Sequence, residues 1–338
     1  MLKQIYDKSD MASVIDSMPE HIRAAYNKEY TITLKGDIDS IIICGMGGSS
    51  ISGRLIDKFI ESKIPITIVE NYNLPKFINK NSLIFIISYS GNTEESLSCY
   101  KQAQRLGLKI ISISTGGKLM ELSEKNHTSF IEIPRGLQPR NAIAFLFFPI
   151  IKILEKNKVI DNISQEVENT IATLKKSKDK YHEIAQELSI KLFNKIPIIY
   201  SSEESYCIAY RWKCEFNENT KIPAFCNKFP ELNHNELNSY VNYNAVNANF
   251  HIIILKDDSD HKRVIKRMDV SKKIIKKLTE DKLKITEIQI KGDSILSKIF
   301  TTIYIGDLIS YYCALKYATD PTPVDVIEEF KKEMGPYV

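Results

Sequence analysis

Residues 83–97 read LIFIISYSGNTEESL, and this stretch decides the fold. Leu83–Ile87 is a short run of large apolar residues with no polar alternation, the pattern of a strand buried on both faces of a parallel sheet. It breaks into Ser88-Tyr89-Ser90-Gly91-Asn92-Thr93, and a Glu-rich, helix-compatible segment follows. A strand that becomes a helix through such a turn presents backbone N–H groups and the positive end of a helix beside the hydroxyls of Ser88, Ser90 and Thr93. That arrangement holds a phosphate without a lysine. The same letters also describe an ordinary helix start, with Thr93 as the cap and Glu94 and Glu95 favouring the first turn. On these residues alone the two readings stand level.

The grammar recurs on either side. Ile41–Cys44 runs into Gly45-Met46-Gly47-Gly48-Ser49-Ser50-Ile51-Ser52-Gly53, followed by an expected helix over Gly53–Lys63 and a strand, Ile66–Val69, that ends at Glu70. A dinucleotide-binding unit looks similar, but its third glycine would fall at Ser50. Hydroxyls at Ser49, Ser50 and Ser52 suit a compact anion better than a flat pyrophosphate. Lys109–Ser114 enters Thr115-Gly116-Gly117-Lys118-Leu119, where Lys118 reads as a surface residue or a further ligand. Ser129–Ile133 leads through a proline-constrained turn to Arg140, just before an apolar helix expected over Asn141–Lys152. Arg140 is either a ligand clamp or a salt-bridge partner, and Arg135 competes for both roles. Strand, turn and helix of this spacing make βαβ units, whose turns line up on the carboxyl edge of one parallel sheet.

The rest of the chain bounds the answer. At 338 residues there is room for two domains, and 43% apolar with 26% charged residues describes an ordinary globular protein. A formal net charge of +4 gives no reason to expect a nucleic-acid partner. The six cysteines form no CxxC, which suits buried thiols in a reducing compartment. No signal-like segment stands at the N-terminus, Ala142–Ile153 is too short to span a bilayer, and Asp307 interrupts the apolar run 299–315, so a cytoplasmic location without membrane attachment is expected. Residues 1–152 read as one α/β domain, 153–190 as a helical connection and 191–338 as a second domain.

In the second half Pro197–Tyr200 is a strand, and residues 205–219 read as one helical passage with Glu218 between Asn217 and Asn219 at its end. Thr220–Asn235 is expected to be a long irregular stretch, and it carries His234; such stretches tend to be functional. His251 lies in an apolar run and reads as structural, His261 as a surface residue, and Lys262–Lys276 as an amphipathic helix with a basic solvent face. Metal-ligand spacings are absent, and so is G-x-S-x-G. A carboxylate and an imidazole together with a phosphate-holding turn fit acid–base chemistry on a phosphorylated small molecule. An ordinary helix-end carboxylate is the bland reading of Glu218.

In this order, GMGGSSISG, SYSGNTEES, ISTGGKL, QPRNAIAF, FNEN, ELNHNE and DPTPVDVIEEFK resemble the archaeal-type bifunctional phosphoglucose/phosphomannose isomerases. The resemblance covers nearly the whole chain. It implies two sugar-isomerase (SIS) domains, each a three-layer α/β unit with a mainly parallel sheet flanked by helices. It implies interconversion of glucose 6-phosphate and mannose 6-phosphate with fructose 6-phosphate, with no cofactor and no metal. Gly47, Gly48, Ser49, Ser88, Ser90 and Thr93 would hold the phosphate. Arg140 would stabilise negative charge near C1–C2, and Glu218 would move the proton. His234, contributed to the neighbouring subunit of a homodimer, and Lys331, with Lys332 as alternative, would assist ring opening. Thr322 would shape the space for both C2 epimers. The chain departs from relatives at SSISG and at Ser96. The rival expectations are a non-catalytic SIS sugar-phosphate sensor and a phosphoglucose isomerase without mannose 6-phosphate activity.

Overall fold

Apolar runs rich in isoleucine supply the first sheet, and its central strands, Ser40–Cys44 and Ser82–Ile87, are buried throughout. The computed structural model describes residues 2–60, 64–243 and 247–335. Strands β1 (Ser40–Cys44), β2 (Ile66–Val69), β3 (Ser82–Ile87), β4 (Lys109–Ser114) and β5 (Ser129–Glu132) are all parallel, in the order β2-β1-β3-β4-β5. Ile43 pairs with Phe85 and Phe85 with Ile111, and all three are almost wholly buried. Each such side chain contributes about 1.5–3 kcal/mol of burial. The direction of strand addition reverses between β1 and β3, the place where open parallel sheets leave a crevice for ligands.

The chain opens with α1 (Leu2–Tyr6), α2 (Met11–Asp16) and α3 (Met18–Asn27), and the first sheet is accompanied by α4 (Gly48–Phe59), α5 (Glu94–Arg105), α6 (Gly117–Lys125) and α7 (Ile143–Lys156). Ile42, Ile84, Ile86 and Ile110 face Leu97, Tyr100 and Ala103 of α5 and Leu119 of α6. On the opposite face α4 lies so close that a side chain at Gly53 would stand 2.9 Å from Ile43 and 3.0 Å from Ile68. Helix α4 begins five residues before the expected Gly53, because the glycine turn itself winds into its first turn. Residues 17–171 form one compact unit.

The other compact unit combines residues 2–16 with 172–334. The expected helical connection is largely one helix, α8 (Ser164–Leu192), and the division between units falls within it. Strands β6 (Ile196–Ser202), β7 (Phe225–Phe229), β8 (Phe250–Lys256) and β9 (Lys284–Gln289) are parallel in the order β7-β6-β8-β9. Strand β7 corrects the expectation of irregular chain over 220–235. Its FCNKF is bounded by Pro223 and Pro230 and lies on a sheet edge, so it lacks an apolar run. The helices are α9 (Tyr206–Glu215), α10 (Lys262–Leu278), α11 (Ile295–Lys316) and α12 (Asp325–Met334). Helix α10 packs Met268 and Ile275 against Ile252 and Ile254, and α11 is buried on nearly every side. The N-terminal pair of helices is anchored here by carboxylates. Asp7 accepts from the Met11 and Ala12 amides and, at 3.0 Å, from the Tyr311 hydroxyl. Asp16 meets Tyr304 at 2.7 Å, Lys178 at 2.8 Å and His182 at 2.9 Å. Burial opposes the Asp16 charge, yet these partners hold its carboxyl well below the usual range.

Candidate functional site

In the unit of residues 17–171, two turns follow the adjacent parallel strands β1 and β3. Gly47 has φ 52° and precedes the first turn of α4. A Cβ on Gly48 would lie 2.9 Å from the Pro139 carbonyl oxygen and 3.3 Å from the Arg140 nitrogen, so glycine lets α4 approach the 3-10 turn Pro139–Ala142. That contact sets Arg140, only 2% exposed, beside the glycine turn, with Nη1 3.4 Å from Gln138 Oε1. Arg135 is exposed and donates to the Thr115 carbonyl at 2.8 Å, which separates the two arginines. Ser49 is buried on α4. Ser50 and Ser52 turn back on the helix, donating to the carbonyls of Gly47 and Ser49 at 2.9 and 2.6 Å. Glu70, the acid a dinucleotide reading needs, is paired with Arg54.

The turn after β3 is built around Ser88. Thr93 occupies the N-cap position of α5 without making a side-chain cap bond. Its hydroxyl lies 2.8 Å from that of Ser88 instead. Ser88 Oγ also accepts from the amides of Gly91 at 3.1 Å and Thr93 at 3.3 Å, which makes it the pivot of the turn. Ser90 is exposed, and its Oγ accepts from the Asn92 amide at 3.2 Å. Helix α5 therefore starts without the side-chain cap that the bland reading required, and its N-terminal end is suited to an anion.

The Thr115–Leu119 turn has a different task. The first amides of α6 are taken up by its neighbour: Leu119 donates to the Gly91 carbonyl at 2.9 Å and Lys118 to Asn92 Oδ1 at 3.0 Å. Gly91 and Gly116 are in such close approach that a Cβ on Gly91 would fall 1.8 Å from the Gly116 oxygen. This turn buttresses the Ser88–Thr93 turn, and the Lys118 side chain is exposed. A cleft of about 540 Å³ lined by Tyr30, Lys152, Glu155 and Asp161 lies at the other end of α7, roughly 20 Å from Arg140 along that helix.

In the other unit, the helical passage does not stay α-helical. After α9 the segment Phe216–Thr220 forms a π turn, a local widening often found at functional positions, and Glu218 sits on it, half-buried. A buried polar frame supports the turn. Arg211 Nη2 donates to both Asp307 oxygens at 2.9 Å, and its Nη1 is 3.1 Å from Glu215. Asn219 donates to Glu215 and to Ser310 Oγ, each at 2.9 Å, and Thr220 donates to the Ser310 carbonyl at 2.8 Å. Burial disfavours the Arg211 charge, but Asp307 and then Glu215 outweigh it, so the guanidinium stays charged. Gly306 brings α11 against α9; any Cβ there would stand 2.2 Å from Trp212 Nε1. The sequence reading missed this frame, having taken Asp307 only as a break in an apolar run. The available signals were Arg211 and Glu215, four residues apart on α9, and an acidic residue inside the apolar α11.

Lys221 links this turn to the last proline turn, donating to the Asp320 carbonyl at 2.7 Å, and Thr322 lies two residues beyond, half-buried. His234 is exposed at the end of the 3-10 turn Glu231–His234. The loop beneath it is rigidly held: Glu236 accepts from Tyr200 and Asn227, Tyr200 and Tyr240 hydroxyls are 2.5 Å apart, and Asn233 donates to Ser271 at 2.7 Å. Burial, with Glu236 nearby, pushes the Tyr240 phenol up to about 12. Lys331 and Lys332 are exposed on α12, and Lys331 pairs with Glu328 at 2.6 Å. Ser201 and Ser202, the last two residues of β6, are buried, and Ser202 bonds Ser205 at 2.9 Å. His251 is buried 2.8 Å from Thr286, as a structural residue should be. Among the described residues, no group of three or more His, Cys, Asp or Glu side chains is arranged to hold a metal, and no helix is long and apolar enough to cross a membrane.

Comparisons with known proteins agree with this architecture. Residues 181–334 match the family described as bacterial phospho-glucose isomerase C-terminal SIS domain. A bifunctional phosphoglucose/phosphomannose isomerase of Caldicellulosiruptor bescii is 39% identical over 96% of this chain and 99% of its own length. One from Aquifex aeolicus is 36% identical over 87% of this chain and 90% of its own. Among solved structures, the C-terminal domain of glucosamine-fructose-6-phosphate aminotransferase from Francisella tularensis is similar with a TM-score of 0.69 at 17% identity, covering 93% of this chain and 98% of that one. That last likeness concerns the fold alone.

Proposed function

The chain belongs to the bifunctional phosphoglucose/phosphomannose isomerase family, and from that membership we propose how its own residues carry the reaction. It is an isomerase of hexose 6-phosphates, interconverting glucose 6-phosphate and mannose 6-phosphate with fructose 6-phosphate. All three sugars can share one enediol or enediolate, because removing the C2 proton flattens C2 and erases its configuration. In our reading Glu218 is the base that carries the proton between C1 and C2. Arg140 favours the developing negative charge, a preorganised stabilisation that needs no rearrangement during reaction. Gly47, Gly48, Ser49, Ser88, Ser90 and Thr93 form the phosphate grip, whose binding energy orients the reacting end.

His234 and Lys331 assist ring opening in this proposal. The exposure of His234 above a well-bonded loop suits an imidazole offered to a second copy of the chain in a homodimer. Thr322 shapes the space in which the intermediate turns to offer either face of C2. The single observation that carries the assignment is Glu218 on a π turn, anchored through Asn219 and Thr220 to a buried ionic frame. A carboxylate at a frayed helix end would not receive such support.

The test is Glu218→Gln, assayed for both aldoses formed from fructose 6-phosphate. Turnover should fall by about 10²–10⁴-fold for glucose 6-phosphate and mannose 6-phosphate alike, while fructose 6-phosphate still binds. Normal turnover toward either aldose would remove Glu218 from the mechanism.

A further inference from the structure

The π turn that carries Glu218 ends on a residue in left-handed backbone. Lys221 has φ 60° and ψ 38°, and its amide closes back on the Phe216 carbonyl. Glycine is the usual occupant of such a cap because it has no Cβ. A lysine accepts strain there that a glycine avoids, which directs attention to its side chain. The ammonium turns back over the helix end and donates to the carbonyls of Glu218 at 3.2 Å, Asn219 at 3.4 Å and Asp320 at 2.7 Å. An ammonium has three N–H donors and no acceptor, so three carbonyls match its whole capacity.

The first two carbonyls belong to the final turn of the helix, where carbonyls have no amide ahead of them and the dipole favours a cation. The third begins the Asp320-Pro321-Thr322-Pro323 turn. Within it Asp320 Oδ1 accepts from the Thr322 amide at 3.0 Å. One exposed side chain thus ties the backbone of Glu218 to the backbone that sets Thr322. We propose that Lys221 is a positioning residue for the isomerisation: it holds the base and the epimer-sorting threonine in a fixed relation. The proposal rests on the roles given above to Glu218 and Thr322. Lys221 itself moves no proton.

A mere helix cap would affect stability alone; a positioning clamp affects turnover and product ratio in folded enzyme. Lys221→Met and Lys221→Arg separate the two. Both variants keep the left-handed backbone cost and a long stem, and they differ in hydrogen-bond donors. Lys221→Gly adds the residue the backbone prefers, so it relieves strain while removing the clamp. In full-length protein with fructose 6-phosphate as substrate, Lys221→Met should lose about tenfold to a hundredfold in kcat with little change in KM, the scale expected when a reacting group is misplaced by about 1 Å. The ratio of mannose to glucose 6-phosphate formed should shift, and Lys221→Arg should restore both quantities toward the parent. Lys221→Gly should show the same kcat loss while unfolding within about 3 °C of the parent.

If the Met and Arg variants have equal kcat and equal product ratio, the clamp is refuted, whatever their stability. If Glu218→Gln is inactive while all three Lys221 variants match the parent, Lys221 is only a cap and the assignment of Glu218 stands. If Glu218→Gln is active, the fault lies in the underlying reading of the base.

Discussion

Gly91→Ala is the substitution that most directly probes the construction of the phosphate turn. The backbone at Gly91 has φ +73°, and an added Cβ would fall 1.8 Å from the Gly116 oxygen and 2.7 Å from its carbonyl carbon. Those atoms are backbone of the buttressing turn and cannot swing aside as a side chain would. To restore ordinary contact the two turns must separate by roughly 1.5 Å. That movement breaks or lengthens the Leu119-to-Gly91, Thr115-to-Tyr89 and Lys118-to-Asn92 bonds, now 2.9, 3.0 and 3.0 Å long. Left-handed backbone costs alanine roughly 1–2 kcal/mol, and each lost bond adds about 1 kcal/mol. Loss of all three bonds gives a total of roughly 4–5 kcal/mol. Gly107→Ala is the control, since Gly107 has φ +63° with nothing within 4 Å of its Cβ position. Urea unfolding should show Gly91→Ala at least about 2 kcal/mol more destabilising than the control, and the KM for fructose 6-phosphate should rise in the folded enzyme. Equal destabilisation of the two variants with an unchanged KM would refute both the buttress and its role in substrate binding.

Two further outcomes follow from contacts already described. Ser88→Ala removes the oxygen that gathers the Gly91 and Thr93 amides and the Thr93 hydroxyl; steady-state kinetics should show KM rising by a similar factor for all three sugar phosphates, and a change confined to one epimer would count against a phosphate role. His251 is neutral in the fold, its pKa lowered to about 4 by burial and then by Lys191 and Lys195. The unfolded chain takes up that proton near the ordinary value of about 6.5, so stability is full above that pH and falls by about 1.4 kcal/mol per pH unit as pH drops toward 4. Urea unfolding between pH 4 and 8 should therefore lose part of its slope in His251→Asn; an identical slope would mean that His251 does not titrate on unfolding.

The sheets were the most legible part of the chain. Leu83–Ile87 and Lys109–Ser114 announce themselves because a strand buried on both faces needs apolar residues throughout. Where polar residues enter, the signal fades, and β7 with its Asn227 and Lys228 could be seen only through its pairing with β6. Local propensity also misplaced the start of α4, since glycine argues against helix until the approach of Pro139 explains Gly48. The hydroxyl-rich turn was readable as an anion site or a cap, and its letters did not show that the Thr93 hydroxyl turns to Ser88 rather than to the first amides of α5. Glu218 was visible as a residue, but its π turn was not, because that turn depends on Ser310 and Asp307, which lie far along the chain and meet it only in the folded unit.

The placement of α1 and α2 bears on how this chain is made. The unit they help to build is discontinuous: residues 17–171 are, topologically, an insertion between its opening helices and its remainder. A ribosome therefore releases Asp7 and Asp16 first and must synthesise Tyr304 and Tyr311, close to the other end, before either carboxylate finds its phenol. The inserted unit has its complete sequence much earlier and can fold while the opening helices wait. A fragment starting at Ala172 would lack both carboxylates and leave those phenols and His182 without these acceptors. Supplying residues 1–16 as a separate peptide would return them, which makes the second unit a natural subject for fragment complementation.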